Sequence, residues 1–269
     1  MGIFDIFKKN ESVKNTDSGL GSASENEQLT PENEEMKAVY AESLAKTERI
    51  ATLLEISKGD RDESWVQRFL TDLPEASFRS GNPQVIAGLD GFPYFQLVLP
   101  EPGTEFQSFV IDKMKDDFLL ERGFGVVINP GTEQPDWVLT YGDILNFQLN
   151  GSFFTKESTF SQNMDSEIVK EKEEILIGQP SETILPAATR KLLKDFFELN
   201  GIADPKVLLM MRKQGEQTTQ DLAFNITPDQ FETEEHFRNM MQTVTWYLPR
   251  HYSIIGLKDD ALDSGFMSL

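Results

Sequence analysis

Glu174-Ile-Leu-Ile177, a break at Gly178-Gln-Pro-Ser181, a run rich in leucine and phenylalanine over residues 186–200, then Val207-Leu-Leu-Met-Met211: this stretch decides how the chain is read. The outer runs are four and five residues long, three and five of them apolar, the length of buried strands. Between them Leu192, Phe196 and Leu199 recur at helical spacing, and Gly201 stands just past the end, where helices commonly close. Residues 213–219 read as a polar loop, after which Leu222, Phe224 and Ile226 alternate as in a half-buried strand. Thr227-Pro-Asp-Gln230 has the spacing of a capping box and Thr233 offers a second cap. Phe237, Met241, Val244 and Leu248 mark the buried side of the helix that follows, and Tyr252, Ile254 and Leu257 a last strand. The order β-α-β-β-α-β predicts a ferredoxin-like α+β sandwich over residues 174–266.

Working toward the N-terminus, residues 30–165 read as a second α+β domain. Thr30-Pro31 opens a helix whose stripe is Met36, Tyr40, Leu44, Ala51 and Leu54, closed by Lys58-Gly59. Trp65, Phe69 and Leu73 lie four apart on a helix over 62–73. Strands are predicted at 92–99, 109–111, 125–128 and 137–140, whereas 116–120 fits helix and strand alike. Residues 141–149 form a short helix ended by Asn150-Gly151. Residues 1–29 read as a flexible acidic segment, nearly free of apolar anchors over 11–29.

A length of 269 residues suits two domains, and 20 Phe can fill two modest cores. With 45 acidic and 25 basic residues the formal charge is −20, which repels nucleic acid and anionic lipid and favours a basic protein partner. Residues 1–35 carry 8 acids and 3 bases, so −15 of the excess belongs to the rest of the chain. No run is long and apolar enough to span a membrane, and the start lacks the order of a secretory signal, so a cytoplasmic location is expected. The absence of cysteine excludes disulfides, thiol nucleophiles and thiolate metal sites.

The two histidines, His236 and His251, are 15 residues apart and match no zinc-protease spacing. Neither a nucleophile elbow nor a phosphate loop is present. Adjacent carboxylates such as Asp116-Asp117, Glu173-Glu174, Glu234-Glu235 and Asp259-Asp260 are expected by chance at this acid content and read as solvated surface. Trp137, Tyr141 and Phe147 read as core before they read as a stacking platform. No cofactor and no metal are expected. The candidate contact residues are Gly178, Pro180 and Ser181, at a strand-to-helix junction whose amides could hold a carboxylate, and Asn129, Pro130 and Gly131, a turn that could serve recognition.

Gly125-Val-Val-Ile-Asn-Pro-Gly131, followed by Tyr141-Gly-Asp-Ile-Leu145, resembles the N-terminal domain of the enhanced serine sensitivity (SseB) family. Ile175-Leu-Ile-Gly-Gln-Pro-Ser181 and Tyr252-Ser-Ile-Ile-Gly-Leu-Lys-Asp-Asp-Ala-Leu262 resemble its C-terminal domain. The likeness covers residues 90–266, and the helices between 30 and 73 depart from it. The resemblance implies a bacterial cytoplasmic protein linked to serine tolerance, with no catalytic residues to carry over.

The expected function is therefore a non-catalytic binding or regulatory protein. The alternatives are a sensor of a small amino acid through the C-terminal domain, an acidic inhibitor or immunity-type protein that covers a cationic partner, and, last, an enzyme with carboxylate chemistry.

Overall fold

Helix α2 (Glu63–Asp72) begins where the Asp62 carboxylate accepts the Trp65 amide at 2.7 Å, and it buries Trp65 and Phe69 one turn apart, as their spacing predicts. The computed structural model describes residues 31–131, 134–156, 158–161, 174–214, 217–261 and 265–269. The expected cap Thr30, the segment 1–29 and most of the expected boundary between 165 and 174 lie outside these residues. The chain divides into a short unit, Met1–Val39, and a compact unit, Tyr40–Leu269, that holds two sheets. Helix α1 (Pro31–Leu54) buries Thr47, Ile50 and Leu53 in its later turns. Met36 and Tyr40, expected in the same stripe, are exposed.

The first sheet has the order β1 (Arg79–Ala87), β2 (Pro93–Val98), β3 (Gly125–Ile128), β4 (Trp137–Leu139), antiparallel except between β2 and β3. Strand β1 has no expected counterpart. Its register shifts between Ser80 and Val85, around Pro83, which erases the alternation a strand would show in sequence. Phe109 makes a single bridge to Phe78, so the strand expected at 109–111 is not formed. Ile111 instead starts α3 (Ile111–Met114), which runs on as a π-helical stretch through Leu120 and carries the crossover between the parallel strands. Helix α4 (Tyr141–Asn150) has a complete capping box: the Thr140 amide donates to Asp143 Oδ2 at 2.9 Å and the Asp143 amide to Thr140 Oγ1 at 3.2 Å. Gly151, at φ 68°, closes it.

In the second sheet β5 (Glu174–Gly178), β6 (Lys206–Gln214), β7 (Gln217–Phe224) and β8 (Ile254–Gly256) lie in sequence order, with α5 (Ala187–Leu199) and α6 (Glu234–Val244) between them. The β-α-β-β-α-β succession is as expected, but the pairing is not that of a ferredoxin-like sandwich. There β5 and β6 would form a split, parallel βαβ pair, whereas here they are adjacent and antiparallel. The length of β6 makes this possible. The polar residues 213–214 and 217–219, expected as loop, continue the β6–β7 ladder through backbone bonds. One edge of the nine-residue β6 then accommodates β5 along Leu209–Lys213 and a short β9 (Met267–Ser268) along Lys206–Val207. Strand β9 lies past the expected end at 266.

Helix α5 is rotated from expectation. Leu193 and Phe197 are buried in the core of the second sheet, and Leu199 is exposed. Leu192 turns toward the first core, where a β-carbon on Gly123 would lie 3.1 Å from its Cδ2. A helix wedged between two cores has two apolar sides, so no single stripe describes it.

Candidate functional site

The turn after β5 is held by its own side chains. The amides of Ile184 and Leu185 donate to the Ser181 carbonyl at 3.0 and 2.8 Å, and the Ser181 and Thr183 hydroxyls share a hydrogen bond of 2.8 Å. Glu182 Oε2 accepts the Ala187 amide at 2.8 Å, so the start of α5 is already capped by a carboxylate. Arg190 fastens the buried Pro180: its guanidinium donates to the Pro180 carbonyl and, through Nε, to the Leu185 carbonyl at 2.9 Å. The Tyr252 hydroxyl donates to the Ile184 carbonyl at 2.8 Å, and burial raises its pKa well above the usual phenol range. Arg190 and Tyr252 carry this turn, and sequence reasoning selected neither. A β-carbon on Gly178 would meet nothing within 4 Å, so the space beside it is open among the described residues.

Asn129 has a comparable structural task. It adopts φ 44°, its Oδ1 accepts the Leu99 amide at 3.0 Å, and its Nδ2 donates to Asp136 at 3.0 Å. Gly131 is left-handed too, at φ 56°. Asn129, Pro130 and Gly131 thus shape the connection between β3 and β4. Among the described residues no hydrogen bond, ion pair or ring contact joins this turn to Gly178, Pro180 or Ser181.

The densest polar and aromatic cluster lies at the seam between the two sheets. Asp143, fully buried, takes two hydrogen bonds of 2.7 Å from Arg250, which also lies 4.6 Å from the centre of the Phe154 ring. Trp246 stacks on Phe92 with ring centres 4.0 Å apart and donates to the Tyr94 hydroxyl at 2.8 Å. That hydroxyl donates onward to Asp90 at 2.5 Å. Burial and the Asp90 carboxylate raise the Tyr94 pKa far above its ordinary value, so the chain stays protonated. The Tyr141 and Thr189 hydroxyls share a bond of 2.9 Å, and burial pushes the Tyr141 pKa up to about 12. The backbone itself closes the seam, since a β-carbon on Gly142 would lie 1.9 Å from the Leu248 carbonyl oxygen. Helical glycine inside Tyr141-Gly-Asp143 was the available signal for this close packing.

No family model, curated protein or solved structure matches the chain. Its own geometry carries the functional reading.

The second buried carboxylate, Asp221, accepts from Arg212 at 2.8 and 3.2 Å through Oδ2. His251 packs against Phe160 and Tyr252, and burial lowers its pKa; His236 is exposed beside Phe231. Trp137 packs on Trp65 and Phe69, Tyr141 on Trp246, and Phe147 on Phe153, three separate packing contacts. Among the described residues no group of three or more metal-ligating side chains converges, and no helix is long and apolar enough to cross a membrane.

On the outer side of β5 the situation reverses. The strand pairs with β6 from Glu174↔Lys213 to Gly178↔Leu209, and no hydrogen bond leads from it to any other described residue. Leu176 is 59% exposed and Ile177 37% exposed. These are apolar side chains at a sheet edge next to the turn singled out by sequence. The alternation of strand side chains places Leu176 beside Met211 on one face and Ile177 beside Met210 on the other.

Proposed function

We propose that the chain is a non-catalytic cytoplasmic binding protein, of the enhanced serine sensitivity kind that its sequence resembles, and that its partner is a cationic protein. One observation carries the reading: each buried carboxylate at the seam and on β7 is held by its own arginine. Each such pair removes one acid and one base, so the excess of 20 acidic residues is left to the rest of the chain. An acid excess of that size slows self-association and speeds encounter with a basic surface. Both oxygens of Asp143 and Oδ2 of Asp221 are committed to arginines, and the Tyr94 and Tyr141 hydroxyls to buried hydrogen bonds.

Affinity capture tests this. The immobilised full chain, incubated with a bacterial lysate, should retain basic proteins. They should leave as salt rises from about 0.1 M to about 1 M, where the screening length falls from about 10 Å to about 3 Å. A retained protein, purified and mixed back, should bind with the same salt dependence. Retention of acidic proteins, or binding unchanged at high salt, overturns the reading.

A further inference from the structure

Residues 265–269 lie against the second sheet as a separate piece. The edge of β6 that does not face β7 is shared: β5 takes it from Leu209 to Lys213, β9 takes Lys206 and Val207, and Leu208 between them pairs with neither. Alternation along the piece sends its side chains to both faces of the sheet. Met267 and Leu269 pack against the core that holds Val207 and Phe197, and Phe266 packs against Leu208, Met210 and Ala223 on the opposite face. The Leu269 amide donates to the Pro205 carbonyl at 3.0 Å, Gln179 Nε2 to the Gly265 carbonyl at 2.7 Å, and Arg190 Nη1 to Met267 Sδ at 3.1 Å. The same guanidinium holds the carbonyls of Pro180 and Leu185. Gly265, at φ 138°, passes so close to β5 that a β-carbon on it would lie 2.8 Å from Ile177 Cδ1.

Seat and occupant differ in burial. Val207 and Leu208 are fully buried, whereas none of residues 265–269 is. A ladder of two residues, with its side chains partly exposed, opens locally while the longer strands stay paired. We infer that the start of β6, Arg190 and the turn after β5 form a binding site for an extended peptide segment, which residues 265–269 occupy in exchange with segments of the same pattern from other chains. The occupant itself shows the pattern. A glycine passes Ile177, an aromatic residue follows toward Leu208 and Met210, and two apolar residues, two positions apart, enter the core beside Val207. Main-chain pairing and apolar seats supply the recognition, as in other strand additions. No charge on the occupant is needed, so this site is independent of the cationic-partner reading above.

The test uses the full chain and a fluorescent peptide, Gly-Phe-Met-Ser-Leu, that repeats residues 265–269 behind a flexible spacer. The tethered segment competes with it, so anisotropy should report only weak binding to the unaltered chain. Met267→Glu in the chain weakens the tethered competitor and should tighten binding of the peptide about tenfold or more, whereas Met267→Glu in the peptide should abolish binding. Leu199→Glu, on the exposed side of α5, should leave binding within about twofold of the unaltered chain. In the unaltered chain the Leu269 amide should exchange about a hundredfold faster than that of Met210 in the middle of the sheet. Equal exchange at Leu269 and Met210 would make the segment a fixed part of the core and overturn the inference. So would a Met267→Glu chain that takes up no peptide, whether or not it still melts cooperatively. Peptide binding that disappears at about 1 M salt would overturn it too, because pairing and apolar seats survive screening.

Discussion

Gly142 and Gly178 sit in the two stretches whose sequence is most suggestive, and their surroundings are opposite. Around Gly142 the chain has closed on itself: the Leu248 carbonyl oxygen would be 1.9 Å from any β-carbon, with Trp246 and the Asp143–Arg250 pair on either side. Around Gly178 there is open space, the neighbouring Leu176 is exposed, and Ile177 is partly covered by Gly265. At the first position the missing side chain admits another stretch of backbone. At the second it admits nothing from the described chain. The seam is closed by the protein's own backbone, and the space at Gly178 is open among the described residues.

The comparison is broken most severely at Gly142. Gly142→Ala forces either α4 or the Leu248 backbone to move and should cost about 3 kcal/mol in chemical denaturation. A loss below about 1 kcal/mol would mean that the seam yields easily and is no tighter than an ordinary surface contact. Arg250→Ala comes next. Removing one partner of a fully buried pair costs about 3–5 kcal/mol, but the arginine side chain is 59% exposed and water can take part of its place, so about 2 kcal/mol is expected. The cycle with Asp143→Asn measures the coupling, and additive losses would remove the pair from the seam's energetics. Gly178→Val is the sharpening case. With nothing to strike, the new side chain should change stability by less than about 0.5 kcal/mol. A loss of several times that would show that the space beside β5 is already in use.

The contrast also marks how far the sequence could be read. Local elements were legible where a few residues decide them: the Thr227–Gln230 box, the Thr233 cap, Gly151, and Trp65 with Phe69 all stand as their patterns predict. The half-buried alternation expected of Leu222 and Phe224 does not, because Asp221 and Ala223 are buried as well. Pairing was not legible, because the partner of β5 is set by the length of β6. That length comes from polar residues whose backbone bonds leave no apolar signature. Strand β1 was invisible for a related reason, since its bulge around Pro83 scrambles the alternation. The candidate residues divide in the same way. Asn129 and Gly131 are in the left-handed conformation that their types permit, but they and Ser181 serve their own turns. The seam depends on Asp143 meeting Arg250 across 107 positions of sequence, and no local window contains both.

Trp246 belongs to the C-terminal part of the chain by sequence, yet it is one of the buried residues of the core that also holds Ile50, Phe69 and Tyr141. During synthesis that core lacks the Trp246 side chain until residue 246 has been made. At a translation rate of about 5–20 residues per second, some 5–20 seconds separate the emergence of Phe153 from that of Trp246. Through that interval Phe92 and Tyr94 wait without the indole that covers them, and the nascent chain offers a chaperone an aromatic surface that the finished protein does not have.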